Sequence, residues 1–239
     1  MDLPREAADL VTGISDQGLP ARLLGGVAVA IRCPTASAGP LRRSYHDLDL
    51  MVTSRAAYRL GQALEAAGYR GEERFNALHG RSRMMFSGPL GHIDVLVGQF
   101  VMCHRLEVGA RLTIDALTLS LADLLLTKLQ IAQLNAKDAS DIAAILLDHR
   151  LAGDESGINR DRVTGVLGGD WGWWRTVTGN LEWLSSFPPE LLDGPARTTL
   201  GERIRELRAA IDARPKSVKW KVRASFGERM PWRLEPEEV

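Results

Sequence analysis

The chain changes its hydrophobic period near residue 120, and that change limits it to a mixed fold. Before it, apolar residues come in short runs, some of them strictly alternating. In "HDLDLMV" (46–52) the alternation puts Leu48 and Leu50 on one side of a strand, and Asp47 and Asp49 on the other. After it, "LADLLLTKLQIAQLN" and "KDASDIAAILLDHR" repeat apolar residues at helical spacing. The expectation is an α+β front part, residues 1–118, followed by a helical C-terminal region, residues 119–239.

The front part reads as an ordered series of elements. Residues 4–17 predict a helix with Pro4 early and Ala7, Leu10, Val11 and Ile14 in one stripe. "ARLLGG" predicts a short buried strand stopped by Gly25-Gly26, and "VAVAIRC" predicts the helix that follows. "PTASAGP" reads as a loop by composition. "RAAYRLGQALEAAGY" predicts a helix capped by Ser54 and ended by Gly68. "RSRMMFSG" and "GHIDVLVG" predict two strands joined at "SGPLG", and "RLTIDALTLS" predicts one more. The tryptophans Trp171, Trp173 and Trp174 fall in the helical region, where packing is their ordinary use.

Composition removes several classes of function. The formal net charge is zero, so no global field draws the chain to nucleic acid or membrane. Two cysteines give neither a disulfide scaffold nor a zinc spacing. The N-terminal segment carries early acids and no long apolar run, so no signal peptide is expected. No stretch has the length of apolar residues a membrane helix needs. A cytoplasmic protein that does not enter membranes is the expectation.

The chemistry concentrates in aspartates. Like charges on one strand face repel, and a cation, a shared proton or open water relieves them. A third acid, Asp94, shares its strand face with His92, while Ile93, Val95 and Val97 take the other. Three aspartates on neighbouring strands would make a hard-oxygen site suited to magnesium, and two such ions can clamp a phosphoryl group. Gly25-Gly26, ending a strand and opening a helix, would offer backbone N–H groups to phosphate. Each piece has a plainer reading: solvated acids on a half-exposed strand, a structural Gly-Gly turn, and His46 and His92 as packing residues.

In that order, "LLGGVAVAI", "HDLDLMV" and "HIDVLVG" resemble the nucleotidyltransferase superfamily with the DNA polymerase β-like catalytic fold. The resemblance spans roughly residues 20 to 100. It implies that Gly25 and Gly26 hold the phosphates of a nucleoside triphosphate and that Asp47 and Asp49 bind two magnesium ions. Asp94 would be the third carboxylate, a metal ligand and a base for the attacking hydroxyl. Twenty residues lie between Gly26 and Asp47, more than is usual in the family, with "RCPTASAGPLRR" as a loop over the site.

Downstream, "LSLADLLLTKLQIAQLNAKDASDIAAILLDH" is similar to the helical segment of bacterial abortive-infection and type IV toxin nucleotidyltransferases. That similarity implies that Lys128 reaches the triphosphate and that Asp138 or Asp141 orients it or contributes to catalysis. The plain alternative is a solvated lysine and acids that suit a helix start. The similarity leaves tRNA, a protein or a small molecule as acceptor. It also leaves open a catalytically inactive nucleotide-binding protein, or one half of a toxin–antitoxin pair bound to a cognate antitoxin. Residues 201–233 hold ten Lys or Arg against four acids, with Trp220 and Trp232 interleaved. Such a tail suits RNA, and equally a terminal helix whose tryptophans close a core.

Overall fold

The computed structural model describes residues 2–186 and 192–235. In chain order the elements are α1 (Leu3–Asp16), β1 (Arg22–Leu24), α2 (Gly25–Arg32), α3 (Pro34–Ser37), β2 (Asp47–Val52), α4 (Ala57–Ala66), β3 (Arg70–Gly71), α5 (Glu73–His79), β4 (Arg83–Gly88) and β5 (Gly91–Val97). There follow β6 (Phe100–Val101), β7 (Arg105–Leu106), α6 (Leu121–Leu129), α7 (Ala136–Asp148), β8 (Leu151–Ala152), β9 (Ile158–Asn159), α8 (Arg160–Gly169), α9 (Trp171–Leu184), α10 (Gly194–Ala213) and α11 (Val218–Phe226). Two compact units share them. The first comprises Met1–Arg32, Arg43–Phe100 and Arg105–Ser120, and the second Cys33–Arg42, Val101–His104 and Leu121–Val239.

The first unit is a small mixed sheet with helices. Its five strands lie in the order β1-β2-β5-β4-β3, with β2 parallel to β5 and the other neighbours antiparallel. Alternation sorts the side chains. Leu48, Leu50, Val52, Ile93, Val95 and Val97 are buried on one face, joined by Met84 and Phe86 from β4. Burial of that face supplies the hydrophobic drive for the sheet. The edge strand β3 is only two residues long, and Asn76 of α5 continues its work. The Asn76 side chain accepts from the N–H of Met85 at 2.7 Å and donates to the Met85 carbonyl at 3.0 Å. A side-chain amide thus completes the edge ladder of β4.

Three local expectations need correction. Residues 111–120 form no strand; a 3₁₀ turn at Gly109–Arg111 is followed by bends, and only Thr118 bridges to Leu23. The cause is Asp115, whose Oδ1 accepts from the N–H groups of Leu117 and Thr118, both at 2.9 Å. A side chain that takes its neighbours' N–H groups folds the backbone into a turn, in competition with a sheet ladder. Ser54 does not cap α4, which begins at Ala57 with Ala56 at its N-cap. Residues 34–40 are not a plain loop: Pro34 opens the one-turn α3, which belongs to the second unit, where the Thr35 N–H donates to Asp148 at 2.8 Å. Gly68 does follow the end of α4, with φ at +88°. No sequence signal named above marks α5.

The described residues of the second unit are mainly helical and include the two-residue parallel pair of β8 with β9. Its core holds the polar residue His104, 6% exposed, stacked on Trp173 with ring centres 5.0 Å apart. The Nε2 of His104 lies 2.8 Å from the Thr176 hydroxyl, and its backbone N–H donates to Gln130. Trp171 packs on Trp174 and Trp232, while Trp174 meets Trp220 edge to face at 5.3 Å. The two tail tryptophans therefore extend the cluster begun by Trp171. Arg223 lies over the Trp171 ring and donates to the carbonyls of Gly227 and Met230.

Burial pushes the His104 imidazole down to about 4, against an upward pull from Asp170 and with a further push from Arg233. Between about pH 6.5 and 4 the unfolded chain takes a proton that the folded one refuses, so stability falls with pH across that window. Urea unfolding at pH 7, 5.5 and 4.5 should show this loss, and His104→Gln should flatten the slope while lowering stability at neutral pH.

Candidate functional site

Parallel pairing of β2 with β5 lines up the acidic face of the sheet. Asp47 pairs with His92 and Asp49 with Asp94, so the two strands present matching polar positions side by side. The sequence-predicted aspartates Asp47, Asp49 and Asp94 share that face, with Asp47 and His92 exposed and Asp49 and Asp94 half-buried. The strands that carry them are interior to the sheet: β1 flanks β2, and β4 flanks β5. His46 precedes β2 and is exposed. The Nδ1 of His92 lies 3.1 Å from the hydroxyl of Ser87 on β4.

Gly25 and Gly26 fall beside this face for a reason the register supplies. Leu24, the last residue of β1, pairs with Asp49, so the chain must turn directly over that aspartate. Gly25 makes the turn at φ +69° and starts α2. A Cβ on Gly25 would run into Oδ2 of Asp49 and lie 2.9 Å from its Cγ. Both the backbone angle and the close approach therefore require glycine. A Cβ on Gly26 would meet the tip of Arg43 and stand 3.0 Å from the Tyr45 ring. The Arg43 guanidinium itself stacks 4.4 Å from the centre of that ring.

Arg43 and Arg83 are the site's cations, and the sequence reading named neither. Arg83 lies on β4 on the same face as Asp94 and grips it bidentately. Its Nε donates to Oδ1 at 2.8 Å and to Oδ2 at 3.0 Å, and its Nη2 donates to Oδ2 at 2.7 Å. The hydrogen bond to Asp94 holds the guanidinium above its ordinary value, against burial and with added help from the charges of Asp94 and Asp49. A signal for this pairing exists in the sequence. A turn of two residues between Gly88 and Gly91 sets Met85 opposite Asp94, which leaves Arg83 one step along the same face.

Asp47 and Asp49 offer the oxygen donors that magnesium takes, and magnesium is commonly held by one or two carboxylates with water and phosphate completing its shell. By donor chemistry alone the pair suits such an ion. Among the described residues no group of three or more His, Cys, Asp or Glu side chains is placed to hold a metal ion. Both oxygens of Asp94 already accept from Arg83.

Lys128, Asp138 and Asp141 lie in the second unit and hold one another. The Lys128 ammonium sits 3.0 Å from Oδ1 of Asp138 and 2.9 Å from Oδ2 of Asp141, with the Asp141 side chain only 1% exposed. Burial works to lower the Lys128 pKa, and the two carboxylates outweigh it and hold it above its ordinary value. This is a closed ion triad at the junction of α6 and α7, where Asn135 caps α7. Neither a protein-family profile nor a curated protein sequence matches the chain.

Three substitutions test these assignments. Gly25→Ala should cost about 1–3 kcal/mol in denaturant unfolding, since it strains φ and displaces Asp49, while Gly26→Ala, which meets the movable end of Arg43, should cost less. Lys128→Met removes the cation shared by two carboxylates, one of them fully buried, and should destabilise by about 3–5 kcal/mol.

Proposed function

We propose that the first unit is a magnesium-dependent nucleotidyltransferase that transfers a nucleoside monophosphate to an acceptor hydroxyl and releases pyrophosphate. One observation carries the reading. Asp49 of the Asp-x-Asp strand stands in parallel register with Asp94 and directly beneath a Gly-Gly turn that opens a helix. The sequence resemblance to the polymerase β-like superfamily supports the same assignment, and the finer fold name rests on it.

The chain's residues divide the work as follows. Asp47 and Asp49 hold the ion. Backbone N–H groups at the start of α2 receive phosphate oxygens, where unpaired donors and the helix dipole favour negative charge. Arg43, placed over Gly26, adds a fixed cation beside that turn. Magnesium, when bound, supplies Lewis-acid polarisation and neutralises charge that develops on the phosphoryl oxygens. The acceptor oxygen forms its bond to the α-phosphorus as the bond to pyrophosphate breaks, and the hydroxyl proton is released to solvent. Positioning and electrostatics do most of the work in such a transfer.

A second reading, a nucleotide-binding module without turnover, draws on one fact: Arg83 holds both oxygens of the third carboxylate. RNA, a protein or a small molecule remains the acceptor class, and Lys219 and Lys221 of α11 are exposed cations of the tail together with Arg205, Arg214 and Arg229.

Thermal unfolding with each of the four nucleoside triphosphates, with and without magnesium, tests the reading. A ligand at 100 times its dissociation constant stabilises by about 2.7 kcal/mol. Each kcal/mol moves the midpoint of a chain of this size by roughly 2–4 °C. A magnesium-dependent rise of several degrees is expected in the wild type and not in Asp47→Asn/Asp49→Asn. Release of pyrophosphate then separates turnover from binding alone. If no nucleotide shifts the midpoint, the reading fails.

A further inference from the structure

A cavity of about 430 Å³ opens beside α9 in the second unit, a size within the range of small-molecule sites. Its floor is polar and fixed. Thr176 and Asn180 of α9 line it and are both buried. The Thr176 hydroxyl is engaged with His104, and the Asn180 amide donates to the carbonyls of Leu129 at 2.8 Å and Ile131 at 2.7 Å. Those two bonds use both amide hydrogens and leave the Asn180 Oδ1 as an acceptor that no described residue fills. One wall comes from the tail. There Trp232 meets Trp171 edge to face, and the Leu234 N–H donates to the Cys103 carbonyl at 2.8 Å, so the segment is pinned.

Aromatic surface and positive charge meet at this cavity. The chain has six tryptophans, and five of them take part in ring contacts. Trp183 is the exception among the described residues: it lines the cavity and is 47% exposed. An indole face left open at a pocket suits a stacked base. Arg175 and Arg233 line the cavity too, and no described lining residue is acidic. Glu228 takes only Nε of Arg175, so the terminal nitrogens keep their donors. A Cβ on Gly179 would stand 2.9 Å from Nη1 of Arg175. Glycine, disfavoured inside helices, thus gives that guanidinium room along α9. The Arg233 guanidinium lies 5.4 Å from the centre of the Trp232 ring, and its contact with the 84% exposed Glu235 is a loose 3.7 Å. We infer that this cavity binds a nucleotide, with the base on Trp183, its edge read by Asn180, and the phosphate held by Arg175 and Arg233. A free nucleotide and the phosphorylated end of a single strand share that chemistry. All of these residues belong to the second unit, so the assignment does not depend on the nucleotidyltransferase reading.

Calorimetric titration of the four nucleoside monophosphates into the whole chain, with a chelator present to remove divalent ions, tests the site. At least one nucleotide should bind, and its nucleoside should bind roughly tenfold more weakly or worse. Trp183→Ala, folded by circular dichroism, should weaken binding by roughly tenfold or more. Arg233→Gln should do the same by about tenfold, as should Gly179→Ala, which crowds Arg175 while raising helix propensity. Trp183→Phe should keep most of the affinity and lose the quenching of tryptophan fluorescence. Asp47→Asn/Asp49→Asn should bind as the wild type does. No binding of any of the four nucleotides, or unchanged affinity in Trp183→Ala, overturns the site and leaves the nucleotidyltransferase reading standing. Binding that disappears in Asp47→Asn/Asp49→Asn puts the nucleotide in the first unit and likewise overturns the α9 site alone. A short 5′-phosphorylated single-stranded RNA, titrated beside the nucleotides, assigns the source. Either order of affinity upholds the site: tighter binding of the RNA marks a strand end as the ligand, and tighter binding of the mononucleotide marks a free nucleotide.

Discussion

Parallel pairing of β2 with β5 is the constraint on which the candidate site depends. These strands are far apart in sequence, and the chain between them runs through α4, β3, α5 and β4 before it returns. Parallel strands cannot be joined by a tight turn, so the crossover is long by necessity. Its outcome is a register in which Asp49 faces Asp94 and Leu50 faces Val95. A slip of one residue would put the apolar set on the polar side, so burial of Leu48, Leu50, Ile93 and Val95 enforces the same register that aligns the acids. Core packing and site geometry are in this sense a single requirement.

Charge at the polar face is managed by fixed cations of the chain itself. Asp94 is matched by Arg83 across the β4–β5 hairpin, and Arg43 lies over the glycine turn on the other side. The hairpin contact depends on β4 being held to its full length. The two-residue β3 cannot do that, and the Asn76 side chain continues the ladder where β3 ends. A helix on which the sequence carries no clear mark thus sets the position of Arg83. Its Phe75 adds an aromatic ring beside the same guanidinium.

The second unit uses its ionic and polar groups differently. Lys128 with Asp138 and Asp141, and Asp123 with Arg162 at 2.8 Å, are buried or half-buried pairs whose partners satisfy one another. Asn180 donates to the carbonyls of Leu129 and Ile131, which meets the unpaired carbonyls at the end of α6. Around them the tryptophans form a chain of ring contacts that takes in Trp220 and Trp232 from the basic tail. The tail's two tryptophans are consumed in packing, and Arg223 is spent on local carbonyls. Cation and aromatic counts by themselves overstate what such a tail presents outward.

By itself the sequence determined the elements with strong periodicity: α1, the short β1 stopped at Gly25-Gly26, β2 with its acids on one face, the β4–β5 hairpin, and the helices after residue 120. Alternation and 3.6-residue spacing are local properties, and burial of one face follows from them directly. It also placed Asp47, Asp49 and Asp94 on the polar side of their strands. Tertiary structure alone decided the rest. Residues 111–120 look like a strand until Asp115 takes its neighbours' N–H groups, and that turn is anchored by an ion pair to the distant Arg32. Lys128 looks like a free cation until α7 brings two carboxylates to it. Asp94 reads in the sequence as one more acid on a polar strand face, and only the β4–β5 pairing lays Arg83 across it. In each case a side chain's role was set by a partner far away or on another element, and pairing of that kind is a property of register and packing that local periodicity does not carry.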